Sequence, residues 1–491
     1  MPPHASQPHR INLRQKASLA PLFLNSGLGS RQMRPACHFA RRTLFQISPR
    51  LLICAHRRCL LTLAIETSCD DTCVAILERH KNRSATLHFN SKITSDNRPY
   101  GGVYPIVAHE SHQQNIAALV KRALSNLPAA SQSQADEGKE DTMVITDESG
   151  RSVRKKLDFV SVTRGPGARA SLISGVDFAK GFAVALNIPL VAINHMQAHA
   201  LTPRLLAALE KQNMENAETI PTDPPFPFLT LLVSGGHTML VHSKDLCDHE
   251  IIANTTDIAI GDMLDKSARD ILPQILLDSA PCVMYGPLLE NYAFPNNEGD
   301  GERFSTHHAK ELSENSYGWK VNSPYARSGP RGKSSNQESF SFSGIGSSAK
   351  RIADGNTNVD EAERRLLARE VMRVSFEHLA SRVLLALEKA EIKHVRTLVV
   401  SGGVASNQYL KFIFRTLLDD NGYSYIRLIF PPPKYCTDNA AMIAWTGIEM
   451  FEAGWRTDLS AMAIRKWSID PASEDGGILG IGGWLKTEAL R

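Results

Sequence analysis

Two histidines four residues apart, His195 and His199 in VAINHMQAHAL, follow directly on an apolar β-type run. In a helix that spacing sets both imidazoles on one face, one turn apart, which is how a helix offers two nitrogens to one divalent metal. Spacing alone is a weak signal in a chain with 17 His, so its weight depends on what stands beside it. A zinc protease would need a Glu directly after the first His as general base. Met196 stands there instead, and the protease reading loses its chemistry.

A second reactive group is ETSCDDT, Glu66 to Thr72, which lies between two apolar β-type stretches. Asp70 and Asp71 are therefore carried on a hairpin tip, where acids and hydroxyls can meet the phosphates and metal of a nucleotide. Without such a ligand the same residues are a solvated turn. Glycine-rich turns supply a third kind of chemistry. Arg164-Gly165-Pro166-Gly167 opens a helix, and two apolar strands run into Ser234-Gly235-Gly236 and Ser401-Gly402-Gly403. Such turns free backbone N–H groups for an anion and let the main chain approach a ligand closely.

The scaffold that must position these groups is α/β. A strand at Leu60–Ile65, a return strand from Cys73 to Leu77, and a helix over Gln113–Leu127 come first. A strand ending at Thr163, a helix to about Leu186 and a strand at Leu190–Ile193 follow. Paired strand-Gly-Gly turns behind an N-terminal polar hairpin resemble the actin-like, sugar-kinase and heat-shock ATPase architecture. The expectation is an α/β fold of two RNase-H-like lobes with a ligand cleft between them.

A chain of 491 residues with 42% apolar content can bury a large core and exceeds one ordinary domain. Residues 1–65 hold nine Arg and one Lys with no Asp or Glu, and taking those ten cations from the chain's 55 leaves a balance of about −6 against its 51 acids. The Arg-rich, acid-free opening, 1–59, has the composition of a mitochondrial transit peptide, with a nucleic-acid-binding arm as the alternative. Its apolar run Leu51–Ile65 is broken by Arg57 and Arg58, so no membrane span is expected. Three of the eight Cys (Cys37, Cys54, Cys59) fall in this leader, and the others lack C-x-x-C spacing, which fits a reducing compartment. The expected lobes are 60–193, with a surface insertion at 128–156 left without structure, and 194–470, with the metal site and a disordered insertion at 294–339. A tail, 471–491, follows.

The ordered motifs ETSCDDT, RGPG with SLISG, HMQAH, LLVSGGH, GDMLDK, FSFSG, GGVASN and TDNAAMIA together resemble the tRNA threonylcarbamoyl transferase family. The leader and the wording IAIGDMLDK resemble its mitochondrial branch. The resemblance implies transfer of a threonylcarbamoyl group from threonylcarbamoyl-AMP to N6 of an adenosine 3′ to the anticodon, in mitochondrial tRNAs that read codons beginning with A. It implies a metal held by His195, His199 and Asp438, a divalent ion such as zinc or iron. Leu232, Val233, Ser234, Gly235 and Gly236 would contact the activated intermediate, with His237 close by. Asp265, Gly286 and Glu290 would hold its ribose and adenine side, and Ser406 and Asn407 the opposite wall. Asp70, Asp71 or an oxygen of the ligand would accept the N6 proton, a choice the residues leave open. The implied partners are tRNA, a separate synthase that supplies the intermediate, and a second copy of the chain, in the mitochondrial matrix. Basic groups at Arg151–Lys156, Lys350 and Arg351 could rim an RNA site. The family's usual wording is departed from at GDMLDK for GEAFDK, at MYGP for YPGGP, and at Gly346 where a Lys often stands. An ATP-binding scaffold or small-molecule kinase of the same fold is the other reading, since fold does not fix function.

Overall fold

The computed structural model describes residues 59–130, 142–147, 150–211, 221–295, 304, 317–325, 338–355 and 360–487. Apart from Cys59, the leader lies outside these residues. The first sheet begins with β1 (Leu60–Glu66), β2 (Asp71–Arg79) and β3 (Ala85–Thr94), a meander of antiparallel neighbours. After α1 (Pro105–Leu124) and a separate hairpin of β4 (Thr142–Asp147) and β5 (Gly150–Lys155), the sheet is extended by β6 (Phe159–Gly165). It then takes α2 (Arg169–Leu186) and β7 (Leu190–Asn194), and its order is β3-β2-β1-β6-β7 with parallel pairing from β1 to β7. LLTLAIE can occupy the centre because it is apolar on both faces. Leu61, Leu63 and Ile65 meet α1 and α2, while Leu60 and Ala64 point into the molecule's middle.

After α3 (His195–Glu210) the second sheet repeats this plan. It comprises β8 (Phe228–Val233), β9 (Thr238–Ser243), β10 (His249–Thr255), the two-residue β11 (Ser339–Phe340), β12 (Thr397–Ser401) and β13 (Arg427–Ile429). Its order is β11-β10-β9-β8-β12-β13, antiparallel from β8 to β10 and parallel from β8 to β13. Both sheets hold a three-stranded meander extended by two parallel strands, the second with β11 added at its edge, which makes the α/β architecture of paired RNase-H-like units. On the outer face of the second sheet lie α4 (Ile260–Ile271), α5 (Gly286–Ala293), α6 (Ser343–Gly355), α7 (Glu361–Leu387) and α8 (Gln408–Asp420).

Between the sheets run α3 and α9 (Ala440–Glu452). A helix with neighbours on every side is apolar nearly throughout, as AAMIAWTGIEMF is, with Ala440 to Ile448 all buried and Glu449 paired with Arg204 of α3. Gly447 lets α9 lie directly on β6, since a Cβ there would collide with Ser161 Oγ. Beyond α9, β14 (Trp455–Thr457) pairs with β15 (Trp484–Lys486), so the C-terminal stretch carries structure up to residue 487. No helix among the described residues is long and apolar enough to cross a membrane.

Two stretches differ from the sequence reading. The insertion at 128–156 carries the β4–β5 hairpin, bridged to Ala129 through Arg154. The β-branched residues Val144, Ile145 and Val153 favour extension, and Ile145 is buried. In the segment 294–339, residues 296–303, 305–316 and 326–337 lie outside the described ones, so disorder there is not addressed. Phe294, Phe304 and Val321 of this segment are buried in the core. Phe304 is buried with its ring 5.1, 5.4 and 5.5 Å from those of Phe294, Tyr409 and Phe412. Val321 is buried, and Trp319 Nε1 donates to Glu363 Oε1 at 2.8 Å. Composition alone expects deletion of 296–333 to be harmless, whereas these contacts predict clear destabilisation, since emptying one buried Phe position costs about 3–5 kcal/mol. Thermal unfolding of the deletion variant checks this, and an unchanged midpoint would refute it.

Candidate active site

The hairpin β1–β2, the β7–α3 junction and the segment before α9 meet at one point. Asn194 ends β7 and caps α3, its side chain accepting from the backbone N–H of Met196 and Gln197 at 2.9 and 3.2 Å. The cap fixes the first turn of α3, so His195 and His199 project together with rings 4.6 Å apart, edge to face. Asp438 arrives from 239 residues away in sequence, with Oδ1 3.2 Å from His199 Nε2 and 3.5 Å from His195 Nε2. One donor atom from each of the three lies within 4.8 Å of the others. Two imidazole nitrogens and one carboxylate oxygen fit a first-row divalent metal and leave positions open for substrate.

Glu66, at the end of β1, completes the arrangement from behind. It accepts from His195 Nδ1 at 3.2 Å, from Ser68 N at 2.5 Å and from the Thr163 hydroxyl. A carboxylate can only accept, so Nδ1 carries a hydrogen, and Nε2 is the nitrogen that faces Asp438. Burial pulls the His195 imidazole down, but the carboxylates of Glu66 and Asp438 outweigh it and hold it up at about 9. Burial would raise the Asp438 carboxyl, yet the two imidazoles hold it well below the ordinary range. Without a metal the cluster therefore keeps a proton on His195, which a bound cation would replace.

The hairpin tip is braced from two sides. His112 Nε2 donates to Cys69 O at 2.9 Å, which leaves Nδ1 to accept from the Thr72 hydroxyl at 2.8 Å. Asp71 accepts from Lys92 Nζ at 2.8 Å and from the Thr94 hydroxyl. Asp70 accepts from Asn97 Nδ2 at 3.2 Å and has no ammonium or guanidinium bonded to it among the described contacts. Burial, reinforced by the neighbouring Asp71 charge, raises the Asp70 carboxyl. Burial also raises Asp71, against the opposing pull of Lys92. Both acids feel the charge of Asp438, which places the tip beside the His195–His199–Asp438 cluster.

The two Gly-Gly turns adjoin each other. A Cβ on Gly402, whose φ of +104° already disfavours side chains, would collide with the Val233 carbonyl, and one on Gly261 would meet Gly235 N and Ser234 O at 2.7 Å. Gly235, Gly236 and Gly403 face open space instead, so the strand ends pack on one side and offer bare backbone on the other. Leu232 and Val233 are buried in the cores on the two faces of β8, leaving only their main chain for a ligand. Ser234 Oγ accepts from Gly236 N and His237 N at 3.3 and 3.0 Å, bracing the turn. Burial, then the nearby imidazoles of His195 and His199, push His237 down to about 4, so it stands neutral near the cluster.

The remaining candidates hold helix starts. Asp265 Oδ1 accepts from Tyr285 N and Gly286 N at 2.7 and 2.9 Å where α5 begins. Burial raises its carboxyl to about 6 against those two bonds. Glu290 Oε1 accepts from Gln408 N and Tyr409 N at 2.7 and 3.0 Å, and Asn407 caps α8 through Leu410 N at 2.9 Å. Ser406 donates to Gly403 O at 2.7 Å. Two of the departures from the family's wording touch, for a Cβ on Gly346 would sit 3.3 Å from Met263 Cγ. The sequence reading did not single out Glu66, Lys92, Asn97 or His112. Glu66 lies inside the motif ETSCDDT and His112 directly before the helix expected from Gln113, but nothing local marks them as partners.

Residues 145–445 match the family model described as tRNA N6-adenosine threonylcarbamoyltransferase. The chain is 35% identical over 440 residues to the Schizosaccharomyces pombe protein named "tRNA N6-adenosine threonylcarbamoyltransferase, mitochondrial", covering 87% of this chain and 90% of that one. It is 31% identical over 426 residues to the Maricaulis maris protein of the same name without the organelle, covering 85% and 93%. With these matches, the chain belongs to the tRNA N6-adenosine threonylcarbamoyltransferase family.

Proposed function

We propose that this chain transfers the threonylcarbamoyl group of threonylcarbamoyl-AMP to N6 of the adenosine 3′ to the anticodon, in mitochondrial tRNAs that read codons beginning with A, with release of AMP. The observation that carries this reading is the convergence of His195, His199 and Asp438 beside the Asp70–Asp71 tip. His195, His199 and Asp438 would hold one divalent ion, zinc or iron, which when bound supplies Lewis-acid polarisation to phosphate or carbamoyl oxygens. Leu232 and Val233 offer main chain, and Ser234, Gly235 and Gly236 receive the acyl phosphate, with neutral His237 at their edge. Asp265 and Glu290, through Gly286, Ser406 and Asn407, hold the two walls around the nucleoside.

In the reaction the N6 lone pair attacks the carbamoyl carbon, and the carbon–oxygen bond to phosphate breaks, its electron pair leaving with AMP. The proton lost from N6 passes to a carboxylate. Asp70 is the better placed of the two acids, because its carboxyl is raised without an ammonium partner, whereas Asp71 is spent on Lys92. The donor is already an activated mixed anhydride, so positioning and preorganised charge supply most of the rate. The chain works in the mitochondrial matrix after loss of its leader, as a homodimer, on an intermediate made by a separate synthase. The acid-free leader supports the location.

Incubating the purified chain with threonylcarbamoyl-AMP and unmodified mitochondrial tRNA, then weighing the nucleosides by mass spectrometry, tests the proposal. Modified adenosine and AMP in equal amounts are expected. AMP without modified adenosine, or ATP-dependent phosphorylation of a small molecule, would overturn it.

A further inference from the structure

Next to the hairpin tip the chain exposes two tyrosines that stack on each other. Tyr100 and Tyr104, in the loop between β3 and α1, have ring centroids 4.5 Å apart and planes within 11°. They are 54% and 39% exposed, with Val103 and Ile106 exposed beside them. The loop is tied down at both ends of the pair. Asn97 donates through Nδ2 to Asp70 at 3.2 Å and accepts through Oδ1 from Tyr104 N at 3.0 Å, so one side chain joins the rings to the acid assigned as base. From the other side Arg269 Nη1 donates to Gly101 O at 3.0 Å. Arg269 belongs to α4, the helix that carries Asp265. The tyrosine loop therefore bridges the hairpin tip of the first sheet and the α4 side of the second.

The charge on this rim suits a polyanion. Arg98, Lys266 and Arg269 are exposed, as is Lys92, which is held by Asp71. Arg98 and Lys266 meet only the surface carboxylates Asp96 and Asp262, pairings that contribute little in water. Arg269 donates to two backbone carbonyls, of Asp265 and Gly101, and its charge also acts on the Asp265 carboxylate four residues earlier on α4. Exposed aromatic faces held in a fixed stack, among cations and continuous with a catalytic cleft, are how proteins take up unstacked bases of single-stranded RNA.

We propose that Tyr100 and Tyr104 form a stacking platform for a nucleobase flanking the acceptor adenosine in the single-stranded loop of the RNA. The proposal rests on the tRNA reading above and adds where the RNA is held. To bring N6 into the cleft the adenosine must leave its stack, and its neighbour loses a face that the tyrosine pair replaces. The ring faces, and not the hydroxyls, do the work.

The test compares Y100A/Y104A with Y100F/Y104F, using a fluorescent anticodon stem-loop for affinity and full tRNA for transfer. The double Ala variant is expected to bind RNA roughly tenfold or more weakly, with the loss in KM for tRNA rather than kcat, and with metal content, thermal midpoint and threonylcarbamoyl-AMP binding unchanged. The double Phe variant should restore affinity. 2-Aminopurine placed beside the acceptor position should be quenched on binding by wild type and not by the Ala variant. Wild-type transfer together with unaltered RNA affinity in the Ala variant would overturn the platform alone, as would a change confined to self-association. A wild-type chain that binds no RNA would sink the tRNA reading and the platform with it.

Discussion

Replacing His195, His199 or Asp438 singly by Ala is expected to lower threonylcarbamoyl transfer by at least about 100-fold, with bound metal lost in parallel. A fall of that size corresponds to the few kcal/mol that Lewis-acid stabilisation typically supplies. The fold should persist, because helix α3 is started by the Asn194 side chain rather than by His195, and Glu66 keeps Ser68 N and the Thr163 hydroxyl when His195 is gone. Glu66→Gln should fall between, since an uncharged acceptor orients His195 less well, and loss of such a partner weakens metal binding roughly 10–100-fold. Asp265→Ala should keep its metal, because its carboxylate serves the start of α5 and lies outside the ligand set. Metal analysis of each purified variant, beside circular dichroism and the transfer assay, separates these classes. Full metal and full transfer in His195→Ala would remove His195 from the ligand set and leave it an ordinary residue of α3.

Asp70→Asn is expected to slow the acyl-transfer step by roughly 10²–10⁴-fold, the range over which a positioned general base contributes. Asp71→Asn should cost less in rate, since its carboxylate is occupied by Lys92 and Thr94, and should chiefly loosen the tip. The two acids also predict different pH behaviour. A base must be ionised to accept a proton, so with the Asp70 carboxyl raised wild-type transfer should be full above that raised value and fall as pH drops through it. Asn at 70 should flatten this acidic limb while leaving tRNA and donor binding in place. Single-turnover rates across pH give the measurement. If Asp71→Asn removes the limb and Asp70→Asn does not, the two roles are exchanged.

The local devices of this site were legible because backbone geometry repeats over short distances. An apolar run interrupted by ETSCDDT can only turn back on itself, a Gly-Gly after a strand marks a close approach, and histidines four apart share a face once Asn194 starts the helix. Asp438 became a ligand candidate through resemblance of TDNAAMIA to a known motif, because no periodicity links it to His199 across 239 residues. The folded chain alone decided the rest. Glu66 meets His195 across 129 residues, Lys92 claims Asp71 and leaves Asp70 unpaired by a cation, and Glu290 and Asp265 spend an oxygen each on helix starts. Composition marked residues 294–339 as a disordered insertion, yet Phe304 and Val321 within it sit in the core. Composition averages over a segment, whereas burial is settled side chain by side chain. A contact between distant residues depends on how two sheets and the helices between them pack, and that packing is a property of the whole chain rather than of any stretch of it.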